Sequence, residues 1–304
     1  MNYWKRIIKG RASYYIVAAL IIISWVIIGM RVRLLASDAI VDGENEVYAY
    51  KHSNTLNITD SGLLWLVNLQ NPLDSDFVPS NLVSHQGIRL QAPAFAAYNQ
   101  MLAAMKADGI QGLQLASAYR PYVYQRDLFT TKVNTLKSQG HNPEAAIELA
   151  AQVLQRPGAS EHQTGLALDV TVAGDLTEDF GKTAAGKWIE ENSHRFGFII
   201  RYPQSKTEIT HIIYEPWHLR YVGLPHATIM FENNLTLEEY AGFIAETGNY
   251  IIWTEPRGSR EFYLVIHSDE WPQTIHDRLI DISSVCPGGG GGYILTMRGM
   301  YITY

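Results

Sequence analysis

The chain has 304 residues, of which 47% are hydrophobic and 18% are charged. This length corresponds to one or two domains, and the composition supports a packed core and excludes a largely disordered protein. A single cysteine, Cys286, excludes an intramolecular disulfide and a cysteine-based zinc site, so a metal site in this chain has to use His, Asp and Glu side chains.

The net charge of −6 at pH 7 is unevenly distributed along the chain. Residues 1–33 contain six basic residues and no acidic one, which leaves 18 basic and 30 acidic residues, a net charge of −12, in the remainder. A domain that binds nucleic acid carries a basic patch or stripe. The acidic remainder has no basic run, so nucleic acid is not an expected partner.

The first predicted element is a transmembrane helix at residues 12–30, a stretch of 19 residues without a charged side chain. A membrane-spanning helix needs about 20 mostly apolar residues. Four basic residues precede the stretch and two follow it, so the positive-inside rule predicts a single-pass anchor in the cell membrane, with the N-terminus in the cytoplasm and the main domain outside. The alternative is a signal peptide that is cleaved near the small residues Ala36, Ser37 and Ala39.

The rest of the chain divides by composition into a polar, acidic stalk at residues 34–60, a main domain at residues 61–247 and a small β-rich appendage at residues 248–304. Apolar spacing and Gly or Pro breaks predict helices at residues 92–107, 122–138, 143–155, 184–195, 224–232 and 236–246. Alternating or β-branched runs predict strands at residues 63–67, 113–116, 165–170, 198–200, 217–222, 251–253, 262–266 and 292–297. Because helices and short strands mix without a βαβ rhythm, we expect an α+β fold with a small antiparallel sheet flanked by helices.

Two segments, residues 160–169 and 214–223, combine histidine with carboxylates. A catalytic zinc ion takes three protein ligands and keeps one position open for water. His162, Asp169 and His218 supply two imidazoles and one carboxylate for such a site. Ordinary surface or hydrogen-bonded core histidines, which we expect at most of the other histidine positions, are the alternative reading of this pattern.

The spacing of the first two ligands requires a bend in the chain. His162 and Asp169 are seven residues apart, and on one unbroken strand they would point to opposite faces. Gly165 offers the bend that lets both reach one metal ion, and Ala167 leaves room beside it. The strand at residues 165–170 is predicted to be half-buried, with its apolar side chains on one face and Asp169 on the other. The alternative for Asp169 is a charge at a sheet edge.

Glu215 precedes Pro216 and lies three residues before His218. The residue before a proline favours extended backbone, so Glu215 is expected at a fixed strand entrance. In that position its carboxylate can act as a general base toward a water molecule at the metal. The alternative is an ordinary surface ion pair between Glu215 and Arg220.

Five stretches resemble the VanY-type D-alanyl-D-alanine carboxypeptidases and their LD-carboxypeptidase relatives, over roughly residues 63–245. They are Leu66–Asn68 with Asn71–Leu73, Ser117–Arg120 with Gln125, Pro157–Asp169, Arg195–Phe198 with Arg201–Pro203, and Glu215–His218 with Arg220–Gly223. One position departs from the family pattern, because His211 follows Thr210 where family members often have glycine. This side chain either narrows the substrate cleft, or adds a second proton-transfer group, or is a tolerated loop change.

The resemblance implies that zinc is bound by His162, Asp169 and His218 and that Glu215 is the general base. It also implies that Arg120 stabilises negative charge, either on the substrate carboxylate or on the developing oxyanion. Gln125 and Ser160 would form hydrogen bonds to the peptide terminus. The implied activity is that of a zinc-dependent D,D-carboxypeptidase. It would remove the terminal D-Ala of peptidoglycan stem peptides outside the membrane and contribute to glycopeptide resistance. LD-carboxypeptidase activity, D,D-dipeptidase activity and a non-catalytic cell-wall-binding protein are the alternatives.

Overall fold

The computed structural model describes residues 59–85, 87–254, 261–273 and 278–298, which belong to one compact unit. The predicted transmembrane helix and nearly all of the predicted stalk lie outside these residues. Among the residues that are described, no helix is long and apolar enough to cross a membrane.

The described chain alternates helices and short strands, in agreement with the predicted mixed fold. The strands are β1 Leu82–His85, β2 Ile88–Gln91, β3 Leu113–Ser117, β4 Ala167–Val172, β5 Phe198–Ile200, β6 His218–Tyr221, β7 Asn249–Thr254, β8 Glu261–Ser268, β9 Leu279–Ser284 and β10 Tyr293–Arg298. The helices are α1 Ala92–Ala107, α2 Tyr122–Ser138, α3 Pro143–Ala151, α4 Ala184–Asn192, α5 Thr207–Thr210, α6 His226–Glu232 and α7 Leu237–Thr247.

The first four-stranded sheet, in the order β3-β4-β6-β5, is antiparallel throughout and forms the centre of the main domain. Leu168 and Val170 of β4 pack into a core with side chains of α1 and α4 such as Met101 and Ile189. The prediction that this strand is half-buried is wrong, since Asp169 on its other face is only 8% exposed. The side chains of the candidate metal site cover that face.

The helix boundaries agree with the predictions where local signals are strong. Helices α1 and α2 occupy the predicted ranges, and Asn142 caps α3 by accepting a hydrogen bond from the Ala145 amide. Helix α3 ends at Ala151, four residues before its predicted end, and α4 ends at Asn192 and continues as a 3₁₀ turn. Apolar periodicity fixes the body of a helix better than its last turn.

A second antiparallel sheet, in the order β7-β8-β10-β9, follows α7. Its Val265 and Ile294 pack with Ile229 of α6 and Ile244 of α7 into a separate core. Residue 248 lies between α7 and β7, but this core includes side chains from both sides of it, and the division into two domains there stays a prediction. The hairpin β1–β2 and the strand β9 were not predicted from the sequence.

The predicted strand at residues 63–67 is wrong, because this segment forms turns and irregular backbone. Its polar groups find partners outside a sheet: the Leu63 and Trp65 carbonyls accept hydrogen bonds from Nη2 of Arg220 at 3.0 and 3.2 Å, and the Leu64 amide donates to Ser283 Oγ at 2.9 Å. Backbone groups that are satisfied by side chains do not need a strand partner.

Candidate active site

Gly165 produces the bend between the first two candidate ligands. His162 lies in a 3₁₀ turn at Glu161–Thr164, and Gly165 ends that turn with a φ of 70°. This left-handed conformation is accessible to glycine at little cost, and a Cβ at this position would lie 2.8 Å from Cδ2 of Leu82. The chain can therefore enter β4 with His162 and Asp169 facing the same point.

Strand pairing brings in the third candidate ligand. Asp169 of β4 stands opposite His218 of β6 in the sheet register. Oδ1 of Asp169 lies 3.0 Å from Nδ1 of His218, and Oδ2 of Asp169 lies 3.3 Å from Nε2 of His162. The three residues are buried, and one ligand atom of each lies within 4.8 Å of the others.

This cluster fits a zinc ion. Two ligands of a tetrahedral zinc, each bound at about 2.1 Å, lie about 3.4 Å apart. Nδ1 of His218 and Nε2 of His162 lie at comparable distances, 3.0 and 3.3 Å, from one or the other oxygen of Asp169. Nδ1 of His162 lies 2.7 Å from the Ala118 carbonyl, which orients the ring, and its buried Nε2 has no hydrogen-bond partner among the described residues. A metal ion would supply the partner that this nitrogen lacks, while the carbonyl holds the other nitrogen as usual for a metal-binding histidine.

The charges of the cluster are suited to binding a cation. Burial, together with the charge of Arg120, lowers the pKa of His162 to about 4, so its imidazole is neutral near pH 7. Burial opposes the charged form of Asp169, but the two histidines outweigh it and lower its pKa. Burial also opposes protonation of His218, but the neighbouring carboxylates outweigh it and raise the pKa to about 9. Metal binding must then displace a proton from His218.

Glu215 lies on the turn that leads into β6. Its amide donates to the Tyr202 carbonyl at 3.1 Å, its carbonyl accepts from the His218 amide at 3.1 Å, and its Oε2 lies 3.9 Å from Nδ1 of His218. Burial and the charge of Asp169 raise the pKa of Glu215 to about 7, although His218 and Arg120 act in the opposite direction. A carboxylate with this pKa is suited to proton transfer near neutral pH.

The alternative of a surface ion pair between Glu215 and Arg220 is not supported, because Glu215 is 9% exposed and Arg220 is fully buried. Arg220 instead lies with its Nη1 3.1 Å from Oε1 of Glu161. Glu215 therefore lies in the cleft, and Arg220 lies in the protein interior behind the cleft.

The other predicted site residues lie at different depths. Arg120 faces the cleft, with its Nη2 3.9 Å from Oδ2 of Asp169. Ser160 lines the cleft and is 2% exposed. Gln125 is not among the lining residues, and its Nε2 donates at 2.6 Å to the carbonyl of Gln155, which does line it. A direct contact of Gln125 with substrate stays a prediction.

The cluster opens into a cleft of about 230 Å³. Its remaining lining residues, none of which was assigned a role from the sequence, are Val153, Leu154, Gln155, Glu161, Leu176, Tyr202, Ile212 and Trp217. The ring of Tyr202 lies 5.0 Å from that of His218. Tyr202, Trp217 and Glu161 lie within the sequence motifs described above, so those motifs could have identified them as candidate site residues. Leu176 follows β4 and lies in none of these motifs.

His211 does not take part in the cleft. It is exposed, is not among the lining residues, and ends helix α5 with a φ of 58°. This left-handed conformation explains why glycine suits the position. The structure favours a tolerated loop change over a role in proton transfer.

Two imidazoles and a carboxylate at one point, with a further carboxylate beside them in a cleft, define a site of the zinc-dependent hydrolase class. Residues 87–224 match the model of the VanY family, D-alanyl-D-alanine carboxypeptidase. A curated relative, the bifunctional D-Ala-D-Ala dipeptidase and D-Ala-D-Ala carboxypeptidase VanXYC of Enterococcus gallinarum, is 35% identical over 194 residues, which are 60% of this chain and 96% of the relative. The chain belongs to the VanY family.

Another curated relative, the putative carboxypeptidase YodJ of Bacillus subtilis (strain 168), is 41% identical over 191 residues, which are 59% of this chain. The chain spans just under two thirds, 66%, of the length of that relative. The likeness therefore covers part of each protein and not either protein as a whole.

Solved structures support the metal assignment. The vancomycin resistance D,D-pentapeptidase VanY from a VanB-type cassette, a variant in complex with Zn(II), is 38% identical with a TM-score of 0.53, and the match covers 58% of this chain and 97% of that chain. The LD-carboxypeptidase LdcB is 40% identical with a TM-score of 0.53, over 59% of this chain and 85% of that chain. Zinc is the cofactor that the His-Asp-His cluster of this chain fits.

Proposed function

We propose that the protein is a zinc-dependent D,D-carboxypeptidase that hydrolyses the terminal D-Ala-D-Ala bond of peptidoglycan stem peptides. The observation that carries the proposal is the convergence of His162, Asp169 and His218 within 4.8 Å, with Oε2 of Glu215 at 3.9 Å from Nδ1 of His218. Membership of the VanY family and the names of the relatives, which include both carboxypeptidases and a dipeptidase, support the choice of bond.

Each residue of the cleft has a task in this reaction. The three ligands would hold a zinc ion, which would supply a Lewis acid for the peptide carbonyl and lower the pKa of a water molecule. The Glu215 carboxylate takes a proton from the attacking water and delivers it to the leaving amine of D-Ala. Because both transfers involve the same carboxylate, Glu215 returns to its starting state after each cycle.

Arg120 provides the positive charge of the cleft. Burial lowers its pKa while the Asp169 and Glu215 carboxylates oppose this, and a guanidinium stays charged at any physiological pH. Its planar group can pair with the carboxylate of the terminal D-Ala or with the oxyanion that develops on the scissile carbonyl. Ser160 would supply a hydroxyl from the wall of the same cleft, and Gln125 donates a hydrogen bond to the Gln155 carbonyl in that wall.

The apolar wall of the cleft suits a substrate with small apolar side chains. Leu176, Ile212 and Val153 line the space next to the metal ligands. The methyl groups of D-Ala can be buried against these side chains, which contributes about 25 cal/mol for each Å² of apolar surface removed from water. A larger terminal side chain would have to fit the same 230 Å³.

The proposed location agrees with the substrate. Residues 12–30 would anchor the protein in the cell membrane and residues 61–247 would act outside it, where peptidoglycan stem peptides are found. Loss of the terminal D-Ala would weaken recognition by glycopeptides. Mass spectrometry of the mature N-terminus tests the anchor: an intact N-terminus is expected, and a start near residues 37–40 would show that the segment is a cleaved signal peptide.

Product analysis tests the activity. The full-length chain is incubated with pentapeptide stems, tetrapeptide stems and the free D-Ala-D-Ala dipeptide, with and without a zinc chelator. The products are identified by mass spectrometry. We expect zinc-dependent loss of one alanine from the pentapeptide. Cleavage confined to the tetrapeptide would instead indicate the LD-carboxypeptidase activity that the likeness to LdcB favours. Cleavage confined to the dipeptide would indicate a dipeptidase, and tight zinc-independent binding without cleavage would indicate a cell-wall-binding protein.

A further inference from the structure

A group of four buried or half-buried charged residues, the Glu161 cluster, lies behind the candidate metal ligands. It consists of Glu161, Arg201, Arg220 and Glu238. Oε1 of Glu161 lies 2.8 Å from Nε of Arg201 and 3.1 Å from Nη1 of Arg220. Arg201 also donates to both carboxylate oxygens of Glu238 at 2.9 and 2.6 Å. The two guanidinium groups balance the two carboxylates, which makes burial of all four charges tolerable.

The second oxygen of Glu161 points at a candidate metal ligand. Oε2 of Glu161 and Nε2 of His218 are both buried, and neither has a hydrogen-bond partner among the described residues. The two atoms lie 3.9 Å apart. This gap is too short for a bridging water, which spans about 4.5 Å with two hydrogen bonds of about 2.8 Å. A small movement of one side chain is enough to join the two atoms directly.

The other histidine of the site shows what such a contact does. Nδ1 of His162 is held at 2.7 Å by the Ala118 carbonyl, which leaves its Nε2 for the metal ion. For His218 the roles are reversed, since its Nδ1 lies 3.0 Å from Asp169 and its Nε2 faces Glu161. A histidine that binds a metal through one nitrogen donates the N–H of the other to an acceptor.

We propose that Glu161 is a positioning residue that accepts a hydrogen bond from Nε2 of His218 and thereby fixes the ring with Nδ1 toward the zinc ion. The inference rests on the proposed zinc-dependent function. Glu161 lines the wall of the cleft, and in this arrangement it acts on the metal through His218 and does not bind the metal itself.

The Glu161 carboxylate is well held for this task. Nε of Arg201 donates to Oε1 of this carboxylate at 2.8 Å and Nη1 of Arg220 lies 3.1 Å from the same oxygen, so Oε1 is fixed and Oε2 stays available as a hydrogen-bond acceptor. Nη2 of Arg220 in turn bonds to the Leu63 and Trp65 carbonyls at 3.0 and 3.2 Å. The orientation of one metal ligand is thus linked to the leading segment of the domain and, through Glu238, to α7.

The test compares two variants of the full-length chain, Glu161→Gln and Glu238→Gln. Both remove one negative charge from the Glu161 cluster, but the Glu238 carboxylate contacts Arg201 and not His218. The zinc dissociation constant is measured by competition with a chromogenic chelator, together with the free energy of unfolding. We expect Glu161→Gln to weaken zinc binding by about 10- to 100-fold, the usual effect of losing such an acceptor, and Glu238→Gln to change it by less than about threefold.

Two outcomes would overturn the inference: unchanged zinc affinity in Glu161→Gln, or an equal loss in both variants, which would assign the effect to the stability of the Glu161 cluster. Wild-type chain that binds no zinc would instead refute the proposed function itself, so the two failures can be told apart.

A measurement on the unmodified protein remains decisive if Glu161→Gln does not fold. In the zinc-loaded chain, NMR of the His218 ring is expected to show a proton on Nε2 that exchanges slowly with solvent and no proton on Nδ1. A ring that coordinates zinc through Nε2, or an Nε2 proton that exchanges at the rate of an exposed histidine, would contradict the role of Glu161.

Discussion

Oε2 of Glu215 lies 3.9 Å from Nδ1 of His218, so the proposed general base and a metal ligand are held by the same turn. The His218 amide donates to the Glu215 carbonyl at 3.1 Å, which fixes the separation through the backbone. This arrangement lets the function of Glu215 be removed without removing the metal site.

The first prediction concerns the variant Glu215→Gln. It keeps the shape of the side chain but cannot accept the proton of the attacking water, so kcat is expected to fall by about 10²- to 10⁴-fold while zinc content stays the same. Release of D-Ala from a pentapeptide stem and metal analysis provide the two measurements. The exposed Glu208 supplies a matched control as Glu208→Gln, with wild-type activity expected. Full activity in Glu215→Gln would exclude Glu215 as the base.

The second prediction is an acid limb in the pH dependence of activity. Burial and Asp169 raise the pKa of Glu215 to about 7, and only its deprotonated form acts as a base. A bound zinc dication lowers this pKa, so the limb is expected at or somewhat below pH 7, where kcat/KM falls about tenfold for each further pH unit. Zinc content is measured at every pH, because proton competition for the ligands would also reduce activity. A flat profile between pH 5 and 8, at constant zinc content, would contradict the assignment.

The third prediction separates the two tasks considered for Arg120. Arg120→Lys keeps the charge but loses the planar fork, and kcat/KM is expected to fall by about 10- to 100-fold, corresponding to one or two charge-assisted hydrogen bonds. The exposed Arg126 gives the control Arg126→Lys, which should have no effect. A substrate with a C-terminal amide locates the contact. If Arg120 binds the terminal carboxylate, the variant loses little further activity on the amide, and an equal loss on both substrates assigns Arg120 to the oxyanion.

The sequence predicted the candidate metal ligands His162, Asp169 and His218, which the structure brings together, because each stands in a contiguous motif with few ways to fold. The bend at Gly165 and the turn before β6 are local features, and helices α1 and α2 follow from local apolar spacing. Glu161 illustrates the opposite case. Its neighbour His162 was recognised, but the contacts that define Glu161 come from Arg201, Arg220 and His218 on other segments of the chain.

The burial of β4 and the presence of the edge strand β9 also could not be predicted from local sequence patterns. Alternation along β4 predicted one exposed face, but the side chains that cover Asp169 arrive from elsewhere in the sequence. β9 is an edge strand that ends in Ser283 and Ser284, and its pairing with β10 is determined by register rather than by its own composition. Strand preference depends strongly on such surroundings.

The fourth prediction concerns His211, which ends α5 with a φ of 58°. A residue with a Cβ in this left-handed region costs about 1 kcal/mol of stability, and glycine avoids this cost. Glycine also gives the unfolded chain more conformational freedom, which offsets part of the gain. His211→Gly is therefore expected to raise the free energy of unfolding by about 0.5 kcal/mol without a change in kcat/KM. His211→Ala, which keeps a Cβ, serves as the control and should not stabilise the protein. Loss of activity in both variants would restore a catalytic role for His211.

The fifth prediction concerns His226, which joins α6 and α7 to the second sheet. Its Nδ1 lies 2.7 Å from the Tyr240 hydroxyl and its Nε2 lies 3.0 Å from Oγ1 of Thr296. Burial lowers its pKa from an ordinary value of 6.5 to about 3. Below pH 6.5 the unfolded chain therefore binds a proton that the folded chain does not, and the free energy of unfolding falls as the pH decreases toward 3.

The expected contribution of His226 is about 1.4 kcal/mol for each pH unit below 6.5, and it vanishes above pH 7. Urea unfolding of the wild type and of His226→Gln between pH 4.5 and 7.5 measures it: the variant is expected to be less stable at pH 7.5 and to lose less stability on acidification. The exposed His141 provides the comparison His141→Gln, which should retain the wild-type pH dependence. Parallel curves of unfolding free energy against pH for the wild type and His226→Gln would mean that His226 has the same pKa in the folded and unfolded chains. That result would contradict a buried, neutral His226 imidazole between Tyr240 and Thr296.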